Sequence, residues 1–414
     1  MIKTLKIKPQ SLPLSLDFQA REAFFAHYVK GDSRCWDFLE YYYHPNDCPD
    51  HLILAIEAVS LAYLWHQVYS ESALAVARER YSLALRMINR ALKSPKEATK
   101  DKTLLASLLL DLFEKITDNR PKNNPSWRSH LNGALALVRL RGKDKFHGDF
   151  ESRILQRIIQ YYIASCLASV SPVSEELIAI RDYDGRRDTS SRPLDLMVQF
   201  ANLYSNTQRG LLSYDESIVA ITGLDGKLQV LDYNLLPSWQ YSTTFLDCKS
   251  ERVLELHWDS YPHRNICQAW NFLRLMRILL NERLIEYYSA SDFFGDQIEV
   301  ASENIRLLAR EICACVPQYV DCDGAARQRL PAPGAGHSHT PDNQADCYTL
   351  IFPLYGAGRY ADPQVRYWVI KQLHYIGSHF YMRKAEMVAE ILEHETDIGL
   401  WEVFAMLGSY AFTA

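Results

Sequence analysis

The stretch NPSWRSHLNGALALVRLRG, residues 124–142, decides the fold class of this chain of 414 residues. Asn124 is a favourable N-cap, and Pro125 suits the first helical position. Three- and four-residue spacing places five of the following side chains on one helix face, namely Trp127, His130, Ala134, Leu137 and Arg141. The stretch therefore predicts a helix that buries this face against its neighbours.

Two glycines in the same stretch have structural explanations. Gly133 lies in mid-helix, where glycine weakens a helix by about 1 kcal/mol relative to alanine. We therefore expect a neighbouring helix to approach it closely. Gly142 follows the last helical turn, where a left-handed C-terminal cap favours glycine. Both positions are predicted to be structural.

The same apolar periodicity continues through most of the chain, and strict alternation of apolar and polar residues is scarce. We predict an all-α fold, an irregular multi-helix bundle with antiparallel helix pairs and no substantial sheet. Only 218–222 and 227–230 are predicted to be briefly extended. One predicted helix begins at residue 52. The other main predicted helices cover 73–92, 102–116, 125–141, 150–168, 194–212, 265–288, 297–316, 363–380, 383–392 and 398–407.

One segment differs from the rest in composition. Residues 321–346 contain Pro, Gly, Ala and His but almost no large apolar residue. Such a segment cannot pack a core, and we predict a disordered loop. Because helical periodicity resumes directly after it, we expect a single all-helical domain over residues 1–414. His337 and His339 in this loop lack a second pair of ligands, so no metal site is predicted there.

Composition and charge exclude several classes of protein. The chain is 48% hydrophobic and 23% charged, with a net charge of −5, which excludes a disordered tail, a collagen-like chain and a disulfide miniprotein. Nucleic-acid-binding surfaces are normally basic, so we expect no direct nucleic-acid binding. The longest apolar run, Thr103–Phe113, contains Asp111 and falls short of the roughly 18 residues of a membrane helix. We therefore expect no membrane partner.

The N-terminus and the cysteines indicate a nuclear or cytoplasmic protein that is not secreted. The opening residues MIKTLKIKPQ are basic, but no apolar segment of a signal peptide follows. Nine cysteines are scattered along the chain, and an odd, scattered set does not indicate a disulfide framework.

Two motifs, in the order in which they occur along the chain, resemble those of one protein family. The first is Trp127-x-x-His130-x-x-Gly133-Ala134 with Arg141-Gly142, which is similar to the hallmark of the fungal-specific transcription factor domain. That domain is the all-helical regulatory region downstream of a binuclear zinc cluster in fungal regulators. The second is LIFPLYGAG at 350–358, followed by RYWV at 366–369 and LHYIG at 373–377. Family members carry a similar proline-containing helix, then Arg-x-Trp and a long helix.

The chain departs from that family in its cysteines. The zinc cluster needs six cysteines in a pattern that opens with Cys-x-x-Cys, because thiolates must surround the metal. Here the closest pair is Cys313 and Cys315, and no Cys-x-x-Cys occurs. No metal and no cofactor are predicted. Met1 at the start favours a complete product over a regulatory region cut from its DNA reader.

The resemblance implies a ligand-responsive regulatory domain that controls metabolic or secondary-metabolite genes, rather than an enzyme. Its partner would be a small-molecule metabolite. We expect four residues to bind ligand or shape the pocket, and three others to be structural. The pocket residues are Trp127, His130, Arg141 and Trp368, and the structural residues are Gly133, Gly142 and Pro353.

Two other hypotheses remain open at this point. The same scaffold could be an enzyme of secondary metabolism that performs a cyclisation or proton transfer in an aromatic-lined helical pocket, with His130 and His44 as catalytic candidates. Alternatively, the chain could be a non-catalytic protein that dimerises with itself or with regulators through an apolar face at 363–407. A cavity of several hundred cubic ångströms with convergent polar groups would favour the enzyme over the dimerisation protein.

Overall fold

The structure, a computed structural model, describes eleven ranges of the chain. These are residues 14–30, 36–44, 50–68, 70–117, 126–142, 148–175, 177–179, 192–234, 237–290, 294–320 and 341–407. Within them, 78% of the residues are helical, in seventeen helices, and the sheet is a single antiparallel pair of short strands. This confirms the predicted all-α class.

The first half of the chain is built around a central helix, α3. It packs against α1, α4 and α6, and α7 then connects α6 to α8. The helices of this half are α1 (Leu16–Tyr28), α2 (Leu39–Tyr42), α3 (His51–Val68), α4 (Glu71–Ala91), α5 (Pro95–Ala98), α6 (Asp101–Thr117), α7 (Ser126–Arg141) and α8 (Asp149–Ala168).

The second half is built around α11, which packs against α10, α12 and α14, while α15 lies between α14 and α16. Contacts of α1 with α14, and of α8 with both α9 and α17, join the two halves. The helices of this half are α9 (Arg192–Gln208), α10 (Tyr214–Asn234), α11 (Arg264–Tyr288), α12 (Gly295–Ala314), α13 (Pro317–Val320), α14 (Pro341–Tyr360), α15 (Pro363–His379), α16 (Arg383–Glu393) and α17 (Leu400–Met406).

Capping side chains fix several helix starts. Asp50 accepts hydrogen bonds from the backbone N–H groups of Leu52 and Ile53, both at 2.9 Å. Asp362 does the same at the start of α15, where a proline occupies the first helical turn. An acceptor at this position satisfies N–H groups that have no partner inside the helix. The predicted helices therefore begin and end close to their observed bounds.

The predicted extended segments at 218–222 and 227–230 are wrong, because both lie inside α10. Ile221, Leu224 and Leu228 are buried at helical spacing, and burial of this face outweighs the β-propensity of the branched side chains. The strands lie elsewhere. Ser242–Phe245 (β1) pairs antiparallel with His257–Ser260 (β2), a hairpin that the sequence analysis did not predict.

The sequence contains no uninterrupted apolar run of about 18 residues, but one helix is apolar on average over that length. Helix α3 is 18 residues long and, by length and composition alone, apolar enough to cross a membrane. It carries Glu57, a charge that interrupts the apolar run, but the mean hydropathy of the helix remains in the range of a membrane span. In the structure 67% of this segment is buried inside the protein, as expected of the central helix of a bundle.

The buried hydrophobic side chains form one contiguous cluster that includes α1, α3 and α6 as well as α11, α14 and α15. The predicted loop at 321–346 falls mostly outside the described residues. Helix α14 begins at Pro341, within the last part of that predicted loop.

Candidate functional site

A cavity of about 340 Å³ lies where α9, α10 and α11 meet the end of α14 and the start of α17. Its wall combines aliphatic and aromatic side chains with several polar groups. The apolar part consists of Phe200, Leu203, Ile221, Leu279, Leu280 and Leu400, and the polar part includes Tyr204, Thr207, Gln208, Glu282, Arg283, Glu286 and Tyr360. The volume falls within the range of small-molecule sites, and the wall is richer in polar groups than most of them.

Helical spacing brings these side chains to one place. Residues 200, 203, 204 and 207 of α9 recur at three- and four-residue steps, so they share one face of the helix. Leu279, Glu282, Arg283 and Glu286 share a face of α11 in the same way. Both faces line the cavity.

Burial alters the acid–base behaviour of Glu282 in this wall. Burial raises the pKa of its carboxyl group to about 7, and the charge of Glu286 adds to the increase. A hydrogen bond to Tyr360 and the charges of Arg359 and Arg283 act in the opposite direction but are outweighed. Glu282 therefore exchanges its proton near neutral pH, which an ordinary glutamate does not do.

The two tyrosines of the wall remain neutral phenols. Burial raises the pKa of Tyr360, and the negative charge of Glu282 adds to the increase. Burial also raises the pKa of Tyr204. Both hydroxyl groups can consequently donate hydrogen bonds at any physiological pH.

Arg359 fixes two walls of the cavity relative to each other. Its guanidinium donates to the carbonyl oxygen of Ile398 at 3.0 Å and to the carboxylate of Asp397 at 2.7 Å. The Tyr355 hydroxyl donates to the same carbonyl oxygen. These bonds attach the end of α14 to the segment that leads into α17.

Two of the predicted pocket residues lie away from this cavity. Arg141 forms an ion pair with Asp101 at the start of α6 and lies 4.0 Å from Glu151 of α8, so it fastens α7 to its neighbours. The indole N–H of Trp368 donates to the carbonyl oxygen of Glu251 at 3.2 Å, where the loop after β1 lies against α15. Neither residue lines the cavity.

The remaining predicted residues cannot be placed in this cavity either. His44 is exposed after α2 and is absent from the wall. The side chains of Trp127 and His130 lie outside the described residues, although their backbone begins α7.

The structural glycines and proline have distinct surroundings. Gly142 has a φ of +83°, and its N–H donates to the carbonyl oxygens of Val138 and Arg139, as a left-handed cap requires. Among the described residues, a Cβ at Gly133 would meet only Ser107 Oγ, at 4.0 Å, so the approach at this position is looser than expected. Pro353 is buried inside α14.

Closer approaches occur at two glycines in the second motif for which no structural role is predicted from the sequence. A Cβ on Gly356 would overlap the side chain of Leu275 in α11. A Cβ on Gly358 would lie 2.9 Å from Leu392 and 3.0 Å from Val369. These glycines allow α14 to pack closely against α11, α15 and α16.

A second polar cluster joins α11 to α12 and to the residue after β2. The buried Arg274 donates to the Tyr261 hydroxyl at 2.7 Å and to the Glu311 carboxylate at 3.0 Å. Asn271 donates to the Sγ atoms of Cys267 and Cys315 at 3.6 and 3.2 Å. Because these groups bind each other, the cluster stabilises the packing of α11 against α12.

Among the described residues, no group of three or more His, Cys, Asp or Glu side chains could hold a metal ion. The cavity residues themselves carried a weak signal in the sequence. Glu282 and Glu286 look like ordinary surface charges on an amphipathic helix, and only the surrounding apolar residues of α11 suggest burial.

The fold places the protein among all-α bundles. Within that class, residues 39–228 match the family described as the fungal specific transcription factor domain. The predicted resemblance is thus confirmed over a segment that contains the first motif, slightly under half of the chain, and the match supports a regulatory role. No zinc-cluster domain is found in the sequence.

A curated relative extends the comparison only a little. An uncharacterized protein of Emericella nidulans is 33% identical over 97 residues, which are 23% of this chain and 20% of that protein. The chain thus spans about a fifth of the length of this relative. No solved structure matches the chain.

Proposed function

We propose that the protein is a ligand-responsive regulatory domain that acts in the nucleus and controls metabolic or secondary-metabolite genes. The family match of residues 39–228 supports a regulatory role. The observation that carries ligand response is the cavity of about 340 Å³ with its convergent polar groups. Its proposed occupant is a small-molecule metabolite.

The position of the cavity provides a mechanism for the response. Its wall is shared by α9 and by the part of α10 that contains Ile221, both in the family-matched segment, and by α11, α14 and α17, which follow it. A ligand that binds one arrangement of these helices better than another shifts the population toward that arrangement. Arg359 would transmit the shift from α14 to the segment before α17 through its bonds to Asp397 and Ile398.

Blocking the cavity tests ligand binding. Thr207 lines the cavity and, within the described part of the chain, bonds only to carbonyl oxygens of its own helix. Thr207→Trp should therefore fill the space without removing a hydrogen bond between helices. Leu211→Trp is the matched control, because Leu211 is 58% exposed and lies outside the wall. The full chain is incubated with a metabolite extract of its host and analysed by native mass spectrometry.

We expect wild type and Leu211→Trp to retain the same small molecule and Thr207→Trp to retain none. If no protein retains a molecule, or if all three do, the cavity is not the ligand site. Circular dichroism and thermal unfolding of each variant establish that the fold is intact.

A second candidate function is enzymatic, and one observation favours it. The carboxyl group of Glu282, with a pKa of about 7, could donate or accept a proton in a cavity with aromatic walls. Such a group suits the predicted cyclisation or proton transfer better than the exposed His44. If extract incubated with wild type loses one compound and gains an isomer, while Glu282→Gln produces neither change, the enzymatic function is supported.

A further inference from the structure

We propose that the ligand of this cavity is an organic amine, with a cationic ammonium group on a compact apolar or aromatic body. The inference rests on the proposed function, because it assigns a chemical class to the ligand of the same cavity. It depends on three features of the wall: the charges, the aromatic rings and the available volume.

The charges of the wall lack one cation. Glu282 and Glu286 face the cavity together with Arg283, and Arg283 is already in an ion pair with Glu286. Within the described part of the chain, no Lys or Arg lies within ion-pair distance of Glu282. A bound ammonium group would supply the missing partner, and hydrogen bonds between charged groups are stronger than those between neutral ones.

The arginines nearby do not favour an anionic ligand. Arg283 is engaged by Glu286, and Arg359 is engaged by Asp397 and by the carbonyl oxygen of Ile398. A ligand carboxylate would therefore have to compete with carboxylates of the protein for these donors. It would also bring another negative charge close to Glu282, and repulsion between the two like charges would weaken binding.

The aromatic rings of the wall suit a cation and its apolar body. Phe200 and Tyr204 stack with ring centroids 5.9 Å apart and an interplanar angle of 23°, and Tyr360 contributes a third ring. Aromatic faces attract cations within about 6 Å. Leu279 and Leu280 also line the cavity and provide an aliphatic surface for the remainder of the ligand.

The volume limits the size of the ligand. A cavity of about 340 Å³ is at the lower end of the range of small-molecule sites. It therefore suits a single ring with a short side chain and is too small for a folded peptide segment. Phenethylamine has this size and chemistry and serves as the probe.

Isothermal titration calorimetry of the full chain compares phenethylamine with two compounds of similar shape. Phenethyl alcohol is neutral, and 3-phenylpropionate is anionic. We expect phenethylamine to bind at least about tenfold more tightly than either isostere, corresponding to about 1.4 kcal/mol. Glu282→Gln should remove this preference. Glu303→Gln, a control at an exposed ion pair of α12, should bind like wild type.

A second readout follows from the ionisation of Glu282. When the amine binds at pH 6, the carboxyl group should release its proton, so the measured heat should depend on the ionisation enthalpy of the buffer. Glu282→Gln should abolish that dependence. If Glu282 had only a structural role, the measured heat would depend on the buffer to the same extent in Glu282→Gln and in wild type.

The outcomes separate the ligand class from the proposed function. If an isostere binds as tightly as phenethylamine, or if Glu282→Gln keeps the preference for the amine, the ligand is not an amine. If Thr207→Trp prevents retention of a host metabolite while phenethylamine binds to no variant, the ligand class is overturned and the cavity remains the ligand site. If neither experiment detects binding, both proposals fail.

Discussion

The carboxyl group of Glu282 lies where both burial and Glu286 oppose its ionisation. The folded state holds the proton up to about pH 7, whereas an unfolded glutamate loses it near pH 4.5. Stability from this group is present below pH 4.5 and is lost as the pH rises through 7.

Glu282→Gln should therefore stabilise the protein at pH 8 and have little effect at pH 4.5. We expect a gain of about 1 to 2 kcal/mol, less than the full pKa difference because the side chain keeps some contact with solvent. Urea unfolding at both pH values measures it. A gain of equal size at both pH values would contradict the assigned ionisation.

His66 behaves in the opposite way. Burial lowers the pKa of its imidazole to about 3, and the charge of Lys384 adds to the decrease. The unfolded state therefore binds a proton that the folded state does not bind between about pH 6.5 and 3, so stability falls as the pH is lowered through that window.

His66→Gln should reduce this acid sensitivity by about 1 to 2 kcal/mol at pH 4, given partial solvent contact. His44→Gln, at an exposed position, is the control and should follow wild type. Denaturant unfolding between pH 7 and 4 provides the comparison. Parallel losses in wild type and His66→Gln would show that other groups cause the acid sensitivity.

Helix α14 depends on glycine at a packing contact. Gly356→Ala would place a Cβ in the space of the buried Leu275, and overpacking of a dense core destabilises by about 1 to 3 kcal/mol. Gly223→Ala in α10 is the matched control, since no atom of the described residues lies within 4 Å of its Cβ position. It should stabilise by up to about 1 kcal/mol through helix propensity.

Thermal unfolding of the two glycine variants gives the test. Opposite shifts in Tm are expected, downward for Gly356→Ala and upward for Gly223→Ala. Equal shifts would mean that propensity, rather than close packing, explains both positions.

The helices were predictable from the sequence where caps and periodicity agreed. Helix α7 is an example, because Gly142 adopts the left-handed conformation that its position indicated. Helix α10 was not predicted, because its branched residues favour strands in isolation. Burial of Ile221, Leu224 and Leu228 makes the segment helical. The β1–β2 hairpin has a long connection and no two-residue turn signal.

The cavity could not be predicted for a different reason. Its wall consists of residues from several helices that are far apart in the sequence, between Phe200 and Leu400. No local sequence pattern indicates that these segments meet. Arg141 and Trp368 were chosen from family motifs, and the structure gives them contacts that hold helices or loops together. Sequence patterns thus indicated packing, whereas the space left between packed helices depends on the whole assembly of the chain.

The molecule as a whole links a family-matched segment, residues 39–228, to helices that follow it. The cavity lies between these parts, so its occupancy should determine how they pack. If the protein regulates genes in response to a ligand, loss of the cavity should have the same effect on transcription as loss of the protein.

The most direct test is deletion of the gene in its host, with complementation by wild type, Thr207→Trp or Leu211→Trp and paired profiling of transcripts and metabolites. We predict that a defined set of transcripts falls in the deletion strain and recovers with wild type and Leu211→Trp but not with Thr207→Trp. Steady transcripts with accumulation of one precursor would contradict the account and identify the protein as an enzyme acting on that precursor.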